Sequence, residues 1–289
     1  MHTAENIVQT EEKWDMVIQS KSGLFDINFK DLWHYRDLLI MLIRRDFVSV
    51  YKQTLLGPWW MLLQPLFTTI TFTIVFGNLA EISTDGLPKP LFYLAGITAW
   101  NYFAGCLTTT STVFTSNASI FSKVYFPRLI IPISVVVSNL IKLGVQMVLF
   151  IALLVYYGFT SYGFHITWSL ALFPLVVCLL AMMGLGFGLI VTAMTTKYRD
   201  MAFLIGFGVQ LLMYATPVIY PLSVVPEKFK TFILLNPMTG VIETFRQSFF
   251  GQGALSWNML AYSIGFSIFI LIAGVLSFNI AEKNFVDTV

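Results

Sequence analysis

The stretch RRDFVSVYKQTLLGPWWMLLQP, residues 44 to 65, changes character at its midpoint. Its first ten residues are mostly charged, polar or tyrosine, whereas Gly57 and Pro58 are followed by an apolar run that opens with Trp59 and Trp60. With the residues that follow, the apolar half is long enough to cross a membrane as a helix. The basic half fits a targeting signal, an anchor that lies on a membrane surface, or part of a machine that moves material through a membrane.

Composition indicates where the whole chain folds. Of its 289 residues 57% are hydrophobic and only 11% are charged, and the mean hydropathy is +0.77. Soluble proteins carry about 25% charged residues, so this chain has too little charge to cover an aqueous surface and is expected in a membrane. Residues 1–28 are acidic and have no apolar core, which argues against a cleavable secretory signal there. Cys106 and Cys178 both lie in apolar runs, so we expect no structural disulfide.

Apolar runs of about 20 residues predict helices that cross the hydrocarbon layer, which is roughly 30 Å thick. Six runs qualify: 58–79, 91–115, 129–157, 168–195, 201–220 and 257–281. The predicted fold is an all-α integral membrane protein with six transmembrane helices over 58–281, preceded by a cytoplasmic segment over 1–28 and an amphipathic interface helix over 29–57, and followed by a cytoplasmic tail over 282–289. In the fourth run, Gly184 and Gly188 form a face of small residues that predicts close helix packing.

Positive charge predicts the orientation in the membrane. Twelve of the 17 Lys and Arg residues lie before the first run, between the second and third, between the fourth and fifth, or after the sixth. Cytoplasmic loops carry the excess of Lys and Arg in membrane proteins. Both termini are therefore expected in the cytoplasm.

The connection 221–256 is then on the outer side. It contains two amphipathic pieces separated by Asn236 and Pro237, and each piece is too short to cross a membrane. Because backbone at membrane depth must be helical or covered by protein, we expect a broken helical hairpin that re-enters the outer leaflet. A surface loop with incidental apolar residues is the alternative. Three apolar residues of the second piece share one helical face: Ile242, Phe245 and Phe249.

The sequence pattern offers no catalytic machinery. The three His residues are scattered, no group of His, Cys and carboxylates has metal-ligand spacing, and none of the six runs contains Asp or Glu. We therefore expect no metal site and no membrane enzyme, and the missing acidic relay and inverted repeat disfavour an ion channel or secondary carrier. No Gly-x-x-x-x-Gly-Lys-Ser/Thr motif occurs, so any ATP must be bound by another polypeptide.

Two cytoplasmic segments predict contacts with the membrane or with partners. Residues 29–53 mix polar and apolar side chains as interfacial helices do, and the unbroken apolar run 38–43 predicts that part of this helix is buried against protein. Residues 117–128, NASIFSKVYFPR, predict a short helix ended by Pro127, whose large apolar groups need a partner; the alternative is a helix resting on lipid headgroups. The candidate contact residues are Ile120, Phe121, Lys123, Val124, Tyr125 and Arg128.

Polar and aromatic residues inside the runs are candidates for the lining of a passage. Lys142 lies near the middle of the third run with Asn139 and Gln146 on the same helical face. An unpartnered cation there costs about 3 kcal/mol, so this face is expected to meet a polar passage or a neighbouring helix; a structural hydrogen-bond network explains it equally well. Aromatic rings in the second run either stack on sugar faces or belong to an interfacial belt: Trp100, Tyr102 and Phe103.

Five motifs carry a resemblance to a known family, and they occur in this order: RRDFVSVYKQTLLGPWWMLLQPL, SIFSKVYFPRLIIP, KYRDM, ATPVIYP and LNPMTGVIETFRQSFF. With them, residues 30–285 resemble the permease subunit of bacterial ATP-binding-cassette (ABC) exporters for cell-surface polysaccharides such as O-antigen, capsule or teichoic acid. The first two motifs are the specific ones. The resemblance implies a type-2 ABC exporter permease in the bacterial cytoplasmic membrane.

The resemblance also implies partners. The permease would pair with itself and with two copies of an ABC ATPase subunit, which hold the ATP and Mg, so this chain would carry no cofactor and no enzyme activity. Its cargo would be a polysaccharide linked to a polyprenyl diphosphate lipid, and it would bind no nucleic acid. An exporter of drugs or small lipids with the same architecture is the nearest rival.

Roles for individual segments follow from the same resemblance. Residues 117–126 would be the coupling helix docked on the ATPase, and 221–250 would be the outer gate helices. The basic half of the opening stretch would lie along the cytoplasmic membrane face until Gly57 and Pro58 turn the chain into the membrane. Its cations are expected to bind membrane lipid headgroups or the diphosphate of the transported lipid: Arg44, Arg45 and Lys52.

Overall fold

A computed structural model of the chain describes residues 33–52, 54–121, 126–162, 168–198, 200–251 and 256–286. The regular structure in these ranges is helical. The α-helices are α1 (Arg36–Tyr51), α2 (Trp60–Phe72), α3 (Lys89–Thr110), α4 (Val113–Ser116), α5 (Ala118–Phe121), α6 (Ile130–Tyr157), α7 (Phe173–Lys197), α8 (Met201–Tyr214), α9 (Glu227–Leu235), α10 (Pro237–Phe250) and α11 (Trp257–Val286). Short π-helical segments extend α2 and α6, and 3₁₀ turns precede α2 and α7.

Four of the described helical stretches are long and apolar enough to cross a membrane: Gly57–Leu79, Ile130–Thr160, Trp168–Lys197 and Trp257–Glu282. They match the first, third, fourth and sixth predicted runs. The other two predicted runs also form helices, but these are not among the four stretches. The second forms α3, whose 22 residues are not among the four apolar stretches. The fifth forms α8, whose 14 residues rise only about 21 Å.

The turn between the two halves of the opening stretch has the predicted position. Gly57 has a φ of +51°, which a residue with a Cβ rarely adopts, and Pro58 stands in the first turn of a short helical segment that leads into α2. Trp59 and Trp60 remain 66% and 47% exposed. Amphipathic rings exposed at this point suit a membrane interface.

Helix α3 is the centre of the packed core. It contacts α2, α6, α7 and α10, and most of its side chains are buried. The predicted close packing of the small face is confirmed, because a Cβ on Gly184 or Gly188 would lie 2.6 Å from side-chain atoms of Cys106 or Thr110 on α3. Cys106 is buried, Cys178 is exposed, and both are free thiols.

Helix α3 ends at Thr110, inside its predicted run, and hydroxyl groups on α7 bond to its last carbonyls. Thr192 donates a hydrogen bond to the backbone carbonyl of Thr110, and Thr195 donates one to that of Ser111, each at 2.6 Å. These bonds satisfy carbonyls at the end of the helix that have no partner within it. The chain then turns through the one-turn helices α4 and α5.

Candidate functional site

The candidate transport elements occupy the two ends of this core. We call α1, residues 111–121 and the start of α6 the inner end, and residues 81–88 with α9 and α10 the outer end. These names follow the orientation predicted from charge.

At the inner end, α1 packs on the segment that follows α3. Leu42 of α1 is 5% exposed and belongs to one apolar cluster with Val113, Phe126 and the first turns of α6. Ile120 of α5 is half-buried against the same cluster. The prediction that part of the interface helix is buried against protein is confirmed. One apolar cluster thus joins the interface helix to the predicted coupling segment.

A polar contact reinforces this junction. Arg45 donates two hydrogen bonds to Asp46 Oδ1, at 2.9 and 2.7 Å, and its Nη2 donates a third to Asn117 Oδ1 at 3.1 Å. Arg44 and Lys52 are exposed. Of the three predicted lipid-binding cations, the structure therefore ties one to the coupling segment and leaves two facing outward.

The predicted coupling residues fall into two groups. Ile120 packs inward, and Arg128 donates from Nη1 to the backbone carbonyl of Glu282 at 3.1 Å while its Nε lies 3.6 Å from the Glu282 carboxylate. Arg128 thus fastens the start of α6 to the end of α11. The other predicted contact groups lie outside the described part of the chain: the side chain of Phe121 and residues Lys123, Val124 and Tyr125.

In the middle of the core, polar side chains of α6 form hydrogen bonds to each other and to the backbone of the same helix. Lys142 Nζ donates to Asn139 Oδ1 at 3.2 Å, and Asn139 Nδ2 donates to the backbone carbonyl of Val135 at 2.9 Å. Asn139 also packs on α3, since a Cβ on Gly105 would lie 2.7 Å from its Oδ1. Gln146 Oε1 is buried and has no hydrogen-bond partner among the described residues. The structure thus contains a hydrogen-bond network here, and a passage along this face stays a prediction.

The aromatic candidates of α3 lie in the apolar core of the chain. Trp100, Tyr102 and Phe103 are 4%, 3% and 0% exposed. Stacking on a sugar requires an open ring face. These three rings could take that role only if α3 separated from its neighbours.

At the outer end, the predicted gate residues pack on the long helices of the same protomer. Ile242 and Phe245 are fully buried, and Phe249 is half-buried. Ring centroids of Phe245 and Phe249 lie 5.9 and 4.9 Å from that of Phe150 on α6, in tilted and edge-on arrangements. The predicted shared face of α10 is therefore real, and it is directed into the protein.

A buried ion pair holds the other side of α10, and sequence reasoning missed it by counting Arg246 among the outer-side charges. Arg246 is 2% exposed; its Nη1 donates to Glu243 Oε1 at 3.0 Å and its Nη2 to the backbone carbonyl of Val218 at 2.8 Å. The guanidinium lies 3.8 Å above the centre of the Phe92 ring on α3, within cation–π distance. The sequence signal was available, because Glu243 and Arg246 are three residues apart and are the only charged residues of the sequence 237–250.

The close approach at this pair depends on a glycine of α3. A Cβ on Gly96 would lie 2.7 Å from the Val218 carbonyl oxygen and 3.2 Å from Arg246 Nη2. Burial lowers the pKa of Arg246, and the neighbouring Glu243 carboxylate raises it. Arginine side chains stay protonated in proteins, so the pair is ionic. Arg246 therefore joins α10, α3 and the chain after α8 through one cation.

These features define a helical membrane protein whose inner end joins an amphipathic surface helix to a loop, and whose outer end is closed by two short helices. Residues 37–250 match the family model described as ABC-2 type transporter, so the chain belongs to that family.

Several curated proteins are similar to it over nearly their whole length. The chain is 26% identical over 259 residues to an O-antigen export system permease protein RfbA of Klebsiella pneumoniae, covering 89% of this chain and 96% of that protein. It is 27% identical over 263 residues to the protein of the same name in Myxococcus xanthus, covering 90% and 98%. It is 21% identical over 243 residues to the polysialic acid transport protein KpsM of Escherichia coli, covering 84% and 92%.

Proposed function

We propose that this chain is the membrane-spanning subunit of an ATP-driven exporter that moves a lipid-linked polysaccharide across the bacterial cytoplasmic membrane. The observation that carries the proposal is the family match over residues 37–250, together with full-length relatives named for O-antigen export and polysialic acid transport. Because the sequence has no phosphate-binding motif for ATP, hydrolysis takes place on a separate ABC ATPase subunit.

The working assembly in this proposal contains two copies of the chain and two ATPase subunits, with the polymer passing between the two permeases. Each permease crosses the membrane six times and keeps both termini in the cytoplasm. The burial of α3 supports its crossing, because a helix enclosed by protein does not need a lipid-facing apolar surface. Helix α8 makes the fifth crossing together with residues 215–220, which continue toward the outer end.

In the proposed mechanism, force enters at the inner end. ATPase closure pushes the coupling segment 117–126, and α1 moves with it, because Leu42 shares its apolar cluster and Arg45 is bonded to Asn117. Helices α3 and α6, which flank the segment, carry the movement toward the outer gate helices. Arg44 and Lys52 are exposed beside this region, and they bind anionic headgroups or the diphosphate of the cargo lipid.

The test uses a strain that lacks its own export permease and carries the gene for this chain on a plasmid. We expect the wild-type chain to restore surface polysaccharide, measured by immunoblotting of intact cells, without increasing efflux of a hydrophobic dye. Dye efflux without polymer on the surface would favour the drug or small-lipid exporter instead.

A variant in the same strain tests the coupling role. Tyr125→Asp should abolish surface polysaccharide and reduce recovery of the ATPase with an affinity-tagged permease, while the amount of permease in the membrane stays normal. Phe229→Asp is the matched control, because it places the same charge on a 53% exposed aromatic residue at the outer end. It should leave ATPase recovery unchanged. Equal ATPase recovery with both variants would contradict the coupling role.

A further inference from the structure

A cavity of about 440 Å³ opens at the outer end, and neither the family match nor the relatives assign it a role. It lies between the turn that carries Asp85, the segment Leu222–Val224, helices α9 and α10, and the start of α11. Its volume falls within the range of about 300–1,000 Å³ that small-molecule sites occupy. It is separate from the inner-end elements and from the polar face of α6.

The charged groups of the cavity are held in place by other residues. Ser223 donates a hydrogen bond to Asp85 Oδ1 at 2.6 Å. Arg246, which does not line the cavity, donates one to Glu243 Oε1 at 3.0 Å. Lys230 donates to Glu227 at 3.0 Å. Glu243 is only 4% exposed, so its orientation is fixed before any ligand arrives. Fixed polar groups lose little conformational entropy on binding.

The lining selects among classes of ligand. A metal ion is disfavoured, since the described residues contain no cluster of three or more His, Cys, Asp or Glu side chains. Anions meet two carboxylates, and a purely apolar ligand would have to desolvate three charged groups without new partners. A neutral molecule rich in hydroxyl groups fits best, because its O–H groups donate to carboxylates and accept from an ammonium group.

The apolar part of the lining agrees with this choice. Leu222, Leu234 and Met259 line the cavity beside the charged groups. Sugars present C–H faces as well as hydroxyl groups, so a cavity with both kinds of surface suits a saccharide. We propose that the outer-end cavity binds one sugar unit of the exported polymer, with Asp85 and Glu243 accepting hydrogen bonds from its hydroxyl groups. This inference rests on the proposed function, and it names a site where the emerging chain is held.

The experiment measures protection of a thiol in the cavity. Ser256→Cys is made in a Cys178→Ser background, since Ser256 lines the cavity, Cys178 is exposed and Cys106 is buried. Ser223 is kept, because its hydroxyl group holds Asp85. The permease is purified with its ATPase subunits in lipid nanodiscs, and the rate of maleimide labelling is measured with and without short oligosaccharides cut from the polymer that the complemented strain exports. We expect labelling of Ser256→Cys to slow at least about threefold near saturation.

Two variants sharpen the result. Val224→Cys is the matched control, because Val224 lies at the same end, is 48% exposed and does not line the cavity; its labelling rate should not change. Asp85→Asn keeps the shape of the side chain and removes its charge. Because a hydrogen bond to a charged acceptor contributes about 1 kcal/mol more than one to a neutral acceptor, Asp85→Asn should raise the oligosaccharide concentration needed for protection about fivefold.

The outcomes separate this inference from the proposed function. If the Ser256→Cys chain restores surface polysaccharide and the oligosaccharides do not protect the thiol, the cavity proposal is wrong and the proposed function stands. Protection by phosphatidylethanolamine in the nanodisc, without any effect of oligosaccharide, would also overturn it and assign the cavity to a lipid headgroup. If the wild-type chain fails to restore polysaccharide, the proposed function itself fails.

Discussion

Each end of this molecule contains an Arg–carboxylate pair, which is buried at the outer end and exposed at the inner end. At the outer end the side chains of Arg246 and Glu243 are 2% and 5% exposed, and the pair is surrounded by an aromatic ring and a backbone carbonyl. At the inner end the side chains of Arg45 and Asp46 are 41% and 26% exposed. Both pairs have short contacts, of 3.0 and 2.7 Å, so burial and not distance distinguishes them.

This difference shows which end of the chain is held together by a buried ion pair and which end has an exposed one. A buried charge that loses its partner is strongly destabilising, whereas an exposed pair contributes little because water and salt screen it. The outer helices are therefore fixed by contacts within one chain. At the inner end, Leu42 and Ile120 supply apolar contact within the chain, and the exposed cations remain available for lipid or for another subunit.

Removal of the buried cation at the outer end should have the largest effect on stability. Arg246→Met leaves the Glu243 carboxylate buried without the Arg246 cation, so we expect a loss of about 3–5 kcal/mol in the free energy of unfolding. The measurement is denaturant unfolding of the purified permease in detergent. If α10 forms part of an outer gate, export should fall with it, because α10 loses the Arg246 contact to α3.

The double variant is the control for this prediction. Replacing both partners, in Arg246→Met with Glu243→Met, removes the buried charges together, so most of the lost stability should return. If Arg246→Met alone is as stable as the wild type, the outer end is not fixed by this pair and the contrast between the two ends disappears.

A glycine substitution tests the same attachment without changing charge. Gly96→Ala places a Cβ 2.7 Å from the carbonyl oxygen of Val218, and backbone cannot move aside as a flexible side chain can. Overpacking of this kind costs about 1–3 kcal/mol, again measured by denaturant unfolding. Gly144→Ala on α6 is the matched control, since its new methyl group meets no atom within 4 Å. It should stabilise the helix by up to about 1 kcal/mol. Equal effects of the two variants would contradict the close packing at Gly96.

Local sequence patterns predicted the long helices and the two short outer helices, but not the contacts of the buried cation at the outer end. Apolar runs identify four long helices, and Gly57 with Pro58 marks the turn into the first one, because length, hydropathy and turn chemistry are local properties. The contacts of Arg246 are not local: Val218 is 28 residues away, and Phe92 lies on a different helix. Counting Lys and Arg for orientation treats every cation as exposed, so a buried one is missed.

The same limit explains the aromatic candidates of the second run. Trp100, Tyr102 and Phe103 have the composition of a belt or a sugar-stacking surface, but α3 is surrounded by other helices and buries them. A hydropathy profile records how apolar a helix is, and α3 has no need of an apolar surface where protein covers it. The central position of α3 depends on contacts with helices that are distant in sequence. Local hydropathy and motifs therefore do not predict it.

The smallest effect on the free energy of unfolding is expected at the exposed pair of the inner end. This variant tests directly whether the two ends differ. Arg45→Ala removes the contacts to Asp46 and Asn117, and the free energy of unfolding of the isolated permease should change by less than about 1 kcal/mol, because the pair is exposed. If the link from α1 to the coupling segment transmits force, export should nevertheless fall. Arg45→Lys, which keeps the charge but cannot reproduce the fork of N–H donors, should be intermediate. A loss of several kcal/mol on unfolding would place Arg45 in the same class as Arg246. Full export with Arg45→Ala would show that the apolar cluster around Leu42 suffices to couple the two segments.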